Sequence, residues 1–331
     1  MVTLHRLFFI LLFVFVFILM ASTISNPSVS ATETVNESNL NCTQPITRSQ
    51  SPDAYAIAVE VFKAKFVRSH EEGLIDDEFY EKIRDVHITF CDEGTFEATG
   101  YPDGEIVVDL KLFGFTFLQA RAMIVGGYLS YEQGQEKSFY PYDSLLEAFF
   151  SQDDDLQGRA HEIPMERAVQ EGMDRGKLRS SMSTVEYQTR EQTMFLGMLY
   201  FLAAHELCHY VLDHHEERNK GRDTNLLVEQ ELEADACALN LINKDEKRST
   251  AAPVSAFGAI AVLGSQAILA NVYSELLDSD PTHPSPVIRL DKALGIVKSF
   301  IESTDTDPER KGVYRDTVKA MGVYFRGKIE G

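Results

Sequence analysis

The hydrophobic pattern changes period along the chain, and these changes predict an α+β fold in which helices dominate. From position 52 the apolar residues recur every three to four positions until just before Gly73, which predicts an amphipathic helix. Residues 86–91 and 105–110 alternate between apolar and polar as strands do, and the turn residues 102–104 precede the second stretch. We therefore predict a small β-sheet beside the helices.

The second half of the chain predicts several long helices. Residues 184–214 form one of them, and its middle, 194–204, is apolar on all sides, which indicates burial in the core. A further helix is predicted over 225–242. The Ala-rich stretch 254–277 contains glycines and polar residues that favour a buried helix over a membrane span. Two more amphipathic helices are expected from Pro286 onward.

The first 31 residues differ in composition from the rest. A charged start precedes an apolar run at 7–20, and small residues stand at 29–31, which predicts a secretory signal peptide over 1–31. The apolar run is shorter than the roughly 20 residues that a membrane span needs. An uncleaved anchor, with membrane contact, is the alternative; either way an exported protein is expected, periplasmic or extracellular. The polar residues 32–51 predict a flexible leader to a main domain at 52–331.

Charge limits the class of partner. The chain has 31 basic and 51 acidic residues, a formal net charge of −20, so an acidic surface would repel phosphate backbones. Nucleic acid is therefore not an expected partner. The hydrophobic content of 44% supports a sizeable core. Residues 151–183 are highly charged and are expected to form a surface excursion or a mobile flap.

The sequence His205-Glu206-Leu207-Cys208-His209 is an HExxH motif within the longest predicted helix. Residues four apart lie on the same face of a helix, so the two imidazoles can bind one cation. Glu206 follows the first histidine and can take a proton from a metal-bound water. The motif therefore predicts a metal site with its own general base.

Two acidic residues on the next predicted helix, Glu231 and Asp235, are also four apart. Glu231 can supply a third ligand and leave the fourth position open for water, as catalytic zinc requires. Asp235 can accept the second ring N–H of a metal-bound histidine. A solvated acidic helix face is the alternative, and Glu233 is the fallback ligand.

His283 lies between prolines in Thr282-His283-Pro284-Ser285-Pro286, and Arg289 follows six residues later. If the imidazole reaches the metal, its N–H could stabilise the oxyanion of a tetrahedral intermediate. A turn that begins the next helix, with no role for His283, explains the segment equally well.

HELCH, ELEAD and THPSPVIRL, in this order, resemble the gluzincin zinc metallopeptidases of the HtpX and CAAX prenyl-protease family. The similarity spans about 184–290. It implies a zincin-like fold and one Zn²⁺ per chain, bound by His205, His209 and Glu231. It also implies that Glu206 is the general base and that Asp235 and His283 have helper roles. The family's multiple membrane spans are missing, so a soluble exported branch is the closer comparison. The phage-exclusion Lit-like peptidases have a similar HExxH arrangement and are the second candidate group.

These features predict a zinc-dependent endopeptidase that hydrolyses peptides or unfolded proteins in envelope protein quality control or processing. An extended substrate could pair with the strand predicted at 105–110 if that strand borders the cleft. One alternative is a non-catalytic, zinc-stabilised envelope protein that binds clients as a chaperone does. Another is zinc-dependent hydrolysis of cell-wall or other small amides.

Cysteines and further histidines leave alternatives open. Cys208 and Cys237 are either packed free thiols or a disulfide that joins the two helices of the metal site, and Cys42 could pair with Cys91. His214 and His215 are expected to be solvated residues at a helix end, with a second metal site there as the minor alternative.

Overall fold

The computed structural model describes residues 52–91, 98–109, 184–214, 224–246, 254–272 and 284–330, together with several helical positions between 112 and 124. The predicted signal peptide, the leader, the charged segment 151–183, Cys42 and His283 lie outside the described residues.

The described chain is mainly helical and contains a three-stranded sheet, in agreement with the α+β prediction. The elements are α1 (Pro52–Glu71), α2 (Asp77–Ile83), β1 (His87–Cys91), β2 (Ala98–Gly100), β3 (Glu105–Asp109), α3 (Thr184–Val211), α4 (Thr224–Glu246), α5 (Val254–Val272), α6 (Pro286–Ser303) and α7 (Pro308–Glu330).

Each predicted helix occurs among the described residues, and the end predicted at 277 for the Ala-rich helix lies outside them. After α1 the chain leaves the helix at Gly73, whose φ of +66° is favourable only for glycine. The pattern missed α2, which begins where the Asp76 carboxylate accepts a hydrogen bond from the Phe79 N–H at 2.8 Å. It also missed β2, which has three residues.

The sheet has the strand order β1-β3-β2, with β1 parallel and β2 antiparallel to β3. All five residues of β3 are buried. The prediction that this strand borders a cleft is wrong, because β1 and β2 pair with its two sides and occupy its backbone groups. The strand that contacts α3 most extensively is β2, at an edge of the described sheet.

Helix α3 lies at the centre of the core and packs against α4, α5 and β2. Among the described residues, Thr189–Val211 is the helix segment long and apolar enough to cross a membrane, but 83% of its apolar window is buried in the protein. Gly197 lets α5 approach closely, because a Cβ there would lie 2.5 Å from the Ser255 Cα. The apolar character of α3 therefore reflects its place in the core.

Helix α4 is joined to α3 by a disulfide between Cys208 and Cys237. Of the two alternatives for these cysteines, the structure has the bond. Because Cys208 precedes one histidine of the HExxH motif and Cys237 follows Asp235 by two residues, the disulfide holds together the two helices that carry the predicted site.

The C-terminal end of α3 is fixed by α2. Lys82 Nζ donates to the Val211 carbonyl oxygen at 2.7 Å and to Asp213 Oδ2 at 2.9 Å. Asp213 has a φ of +56°, so the chain turns sharply at this point. The turn decides where the following residue, His214, is placed.

Candidate metal centre

Helix α3 presents both histidines of the HExxH motif on one buried face. His205 is 7% exposed and His209 is 1% exposed. Their Nε2 atoms are 3.2 Å apart. The four-residue spacing thus brings two imidazole nitrogens to a single point, as helix geometry requires.

Glu231 approaches the same point from α4. Its Oε2 lies 3.3 Å from His205 Nε2, and its Oε1 lies 3.3 Å from His209 Nε2. One ligand atom from each of the three residues falls within 4.8 Å of the others. This buried group could hold a metal ion. Two imidazoles and one carboxylate are a donor set that fits a catalytic zinc site with an open fourth position.

Asp235, one helical turn after Glu231, contacts the opposite side of the first histidine. Its Oδ1 lies 3.0 Å from His205 Nδ1, the ring nitrogen that faces away from Glu231. Arg289 of α6 binds both carboxylate oxygens of Asp235, with Nε to Oδ2 and Nη2 to Oδ1 each at 2.7 Å. The sequence pattern predicted Asp235 for this place but assigned no partner to Arg289.

The charges of the site shift the pKa values of its members. Burial alone would raise the pKa of Asp235, but the positive charge and hydrogen bonds of Arg289 outweigh burial and hold that pKa well below its ordinary value. Burial would also raise the pKa of Glu231, but the imidazoles of His205 and His209, each 3.3 Å from one of its oxygens, outweigh burial, so this pKa too is well below its ordinary value. Both carboxylates are therefore ionised at neutral pH.

His205 shows the opposite balance. Burial would lower its pKa, but the carboxylates of Asp235 and Glu231, 3.0 Å and 3.3 Å from its two ring nitrogens, outweigh burial and raise the pKa to about 10. The two carboxylates therefore stabilise a positive charge at this imidazole. The surroundings thus favour positive charge at this position.

Glu206 lies beside the ligand group. Its Oε1 is 3.9 Å from His205 Nε2, and its Oε2 accepts a hydrogen bond from the Gly100 backbone N–H at 2.7 Å. A Cβ on Gly100 would lie 3.1 Å from Glu206 Oε2 and 3.2 Å from its carbonyl oxygen, so the close approach of β2 depends on glycine. The sequence carried no signal for this contact, because β2 was not recognised.

His214 was predicted to be solvated, and this prediction is wrong. The residue is 4% exposed, and its Nδ1 lies 3.0 Å from His209 Nδ1. The sharp turn at Asp213 brings the imidazole back beside His209 instead of leaving it at the helix end. Its Nε2 lies 3.4 Å from the carboxylate of Glu233.

Glu233, the fallback ligand, takes no part in the three-residue group. Its side chain is 66% exposed and faces His214, because two positions along a helix lead to a different face. His283 lies outside the described residues. The two residues that sequence reasoning missed, Gly100 and His214, both reach the site through loop or strand geometry.

Comparison with known proteins adds one finding. The family model Peptidase U49 matches residues 160–304. The Peptidase U49 match contains the HExxH motif, Glu231, Asp235 and Arg289, and so covers the part of the chain that forms the buried group. It indicates a peptidase family and supports a proteolytic function. Neither the curated proteins nor the solved structures contain a match to this chain.

Proposed function

We propose that this protein is a zinc-dependent endopeptidase of the gluzincin type. The observation that carries the proposal is the convergence of His205, His209 and Glu231 within 4.8 Å, with Glu206 alongside, inside the region that matches a peptidase family. A match to a peptidase family alone leaves the reaction type open. The donor set favours a zinc-activated water as the attacking group over a serine or cysteine side chain.

The two histidines and Glu231 would hold one Zn²⁺ per chain. Zinc in such a site lowers the pKa of a bound water and polarises the scissile carbonyl. Glu206 is the general base: it takes the proton from the attacking water and delivers it to the leaving amine. The Gly100 N–H fixes the orientation of this carboxylate, and Asp235 fixes that of the first histidine ring. Within this proposal, His283 is the donor to the oxyanion.

The substrate is a peptide or an unfolded protein that lies along β2. Among the described strands, β2 is at an edge of the sheet, and its last residue, Gly100, donates directly to the proposed base. A chain added beside β2 would therefore have its scissile bond close to Glu206. An extended peptide can bind in this way through its backbone, with limited dependence on side chains.

The proposed location is outside the cytoplasm, in the periplasm or beyond, where the enzyme would serve envelope protein quality control or processing. The disulfide between Cys208 and Cys237 supports this location, because such bonds form and persist mainly in oxidising compartments. The N-terminal sequence, with its charged start and apolar run, supports it independently.

The test is cleavage of an unfolded protein by the full chain and by Glu206→Gln, with bound zinc measured in both. The variant should retain about one zinc and lose at least about 100-fold in activity, since a general base contributes roughly 10²–10⁴-fold. Glu229→Gln is the matched control, because it removes an exposed carboxylate on α4 and should be fully active.

Three outcomes would overturn the proposal. Full activity in Glu206→Gln would exclude Glu206 as the base. A wild-type chain that binds zinc but cleaves neither unfolded protein nor small amides would favour the non-catalytic binding protein, and cleavage of small amides alone would favour the other zinc hydrolase.

A further inference from the structure

The outer nitrogens of the two ligand histidines face different partners. His205 Nδ1 faces the carboxylate of Asp235 at 3.0 Å. His209 Nδ1 faces another imidazole, the Nδ1 of His214, also at 3.0 Å. A metal-bound histidine usually gives its second N–H to a carboxylate, a backbone carbonyl or a water. When the partner is a histidine such as His214, its facing nitrogen can accept this N–H only if that nitrogen carries no proton itself.

The positions of the protons follow from the geometry. A neutral imidazole carries one N–H. If the metal takes the lone pair of His209 Nε2, the atom that faces Glu231, then the proton of His209 is on Nδ1. That N–H points to His214 Nδ1, which must accept, so the proton of His214 is on Nε2. His214 Nε2 in turn lies 3.4 Å from Glu233 Oε2, and a negative carboxylate favours the N–H on that side.

The surroundings hold His214 in place. The residue is 4% exposed, and its ring lies at a steep angle to that of His209, with centroids 5.0 Å apart. The preceding residue, Asp213, has a φ of +56° and is bound by Lys82 of α2. This turn is tied to a neighbouring helix, so the position of the imidazole is not that of a frayed helix end.

We propose that His214 is a positioning residue that fixes the tautomer and ring orientation of His209 and thereby sets the metal affinity of the site. The inference rests on the proposed function only in that His209 binds the metal. It assigns no catalytic step to His214, whose ring nitrogens face His209 and Glu233 and not the three ligand atoms.

Two nearly isosteric variants test this role. Asn places an amide oxygen close to the position of the imidazole Nδ1 and can accept the His209 N–H, whereas Leu fills a similar volume and cannot accept. In the zinc-loaded full chain, competition with a chelator should show that His214→Leu weakens zinc binding by about 10–100-fold, the usual effect of removing such a partner. His214→Asn should stay within a few-fold of wild type.

Equal zinc affinity in wild type and His214→Leu would overturn the inference. Equal losses in the Asn and Leu variants would also overturn it, because the acceptor would then be irrelevant. Thermal melting of each variant in excess chelator shows whether the metal-free fold is retained.

Long-range ¹H–¹⁵N NMR of the histidine rings tests the wild-type chain without any substitution. With zinc bound, His214 should carry its proton on Nε2 and His209 on Nδ1. A His214 ring that carries its proton on Nδ1 would refute the inference even if a variant does not fold.

Failure of the proposed function gives a different result. A wild type that binds zinc and shows no proteolysis removes the endopeptidase and leaves the affinity comparison intact. A wild type that binds no zinc at all overturns both.

Discussion

Arg289 and Asp235 lie 54 positions apart in the chain and form two parallel hydrogen bonds, each 2.7 Å long. Both residues are buried, at 8% and 3% exposure. The fork of the guanidinium matches the two carboxylate oxygens, which fixes the carboxylate plane. Because Asp235 also faces His205, helix α6 takes part in orienting a side chain of the three-residue group that belongs to α3.

Removal of the guanidinium should therefore destabilise the protein more than an ordinary surface change. Arg289→Met removes the cation that binds both oxygens of a buried carboxylate, and breaking such a pair typically costs about 3–5 kcal/mol. The His205 imidazole, 3.0 Å from Asp235, should keep the loss at the lower end of this range. Urea unfolding in excess chelator measures this loss on the metal-free protein. The double variant Arg289→Met with Asp235→Asn should recover part of it, and an additive loss in the double variant would contradict a direct pairing.

Loss of the disulfide should lower the free energy of unfolding, because the bond closes a loop of the chain between α3 and α4. Cys208 and Cys237 are separated by 29 positions, and closing a loop of about this size is worth roughly 3–4 kcal/mol by the chain-entropy model. We expect that order of loss in the free energy of unfolding for Cys208→Ala combined with Cys237→Ala. Wild type treated with a thiol reductant should lose at least this much, because the reductant also opens the disulfide of Cys91. The double variant should respond to the reductant only through that second bond.

A side chain at Gly100 should impair turnover while leaving the metal bound. The added methyl group of Gly100→Ala would meet Glu206 Oε2 at 3.1 Å and its carbonyl oxygen at 3.2 Å, which moves the base from its position. Contacts this short require Glu206 or β2 to shift by a few tenths of an ångström. Since displacement of a reacting group by about 1 Å can cost about 100-fold, we expect kcat to fall by about 3–10-fold with one zinc retained. Gly295→Ala is the control, because a Cβ there meets nothing within 4 Å.

The raised pKa of His205 predicts a pH dependence of the metal-free protein. Its value of about 10 lies above the ordinary 6.5, so the folded state binds this proton more tightly than the unfolded state does. The resulting stability is present in full below about pH 6.5 and is lost as pH rises toward 10. Urea unfolding in chelator should therefore show lower stability at pH 9 than at pH 6.5, and His205→Gln should reduce the difference.

Zinc affinity should change in the opposite direction over the same range. Zinc must displace the proton from His205, so binding should tighten as pH rises from about 6.5 toward 10. Chelator competition at several pH values measures this directly. Affinity that stays constant between pH 6.5 and 9 would contradict a proton held between the two carboxylates.

The helices and the buried ligand group followed from the sequence because helix geometry converts spacing into position. Residues four apart must share a face, so His205 and His209 on one helix were predicted together. The same rule placed Glu231 and Asp235 on a common face of the next helix. The apolar middle of α3 indicated that this helix lies in the core, which also explains the burial of the site.

The remaining contacts depend on relations that spacing does not encode. A strand of three residues such as β2 is too short to show alternation, so its contact with Glu206 through Gly100 was not predicted. The strand order that places β3 in the centre depends on pairing between distant segments. His214 was misplaced because its position depends on the backbone turn at Asp213 and not on helix periodicity.

The bond between Cys208 and Cys237 has a consequence for the integrity of the chain. A backbone break anywhere between His209 and Cys237 would leave the two helices covalently connected. Both histidines would then be on one fragment, with Glu231 either on that fragment or tethered to it through the disulfide. A nicked molecule would migrate as one species without reductant and as two with it. The group of His205, His209 and Glu231 would thus stay together after a proteolytic cut in the segment that joins the helices.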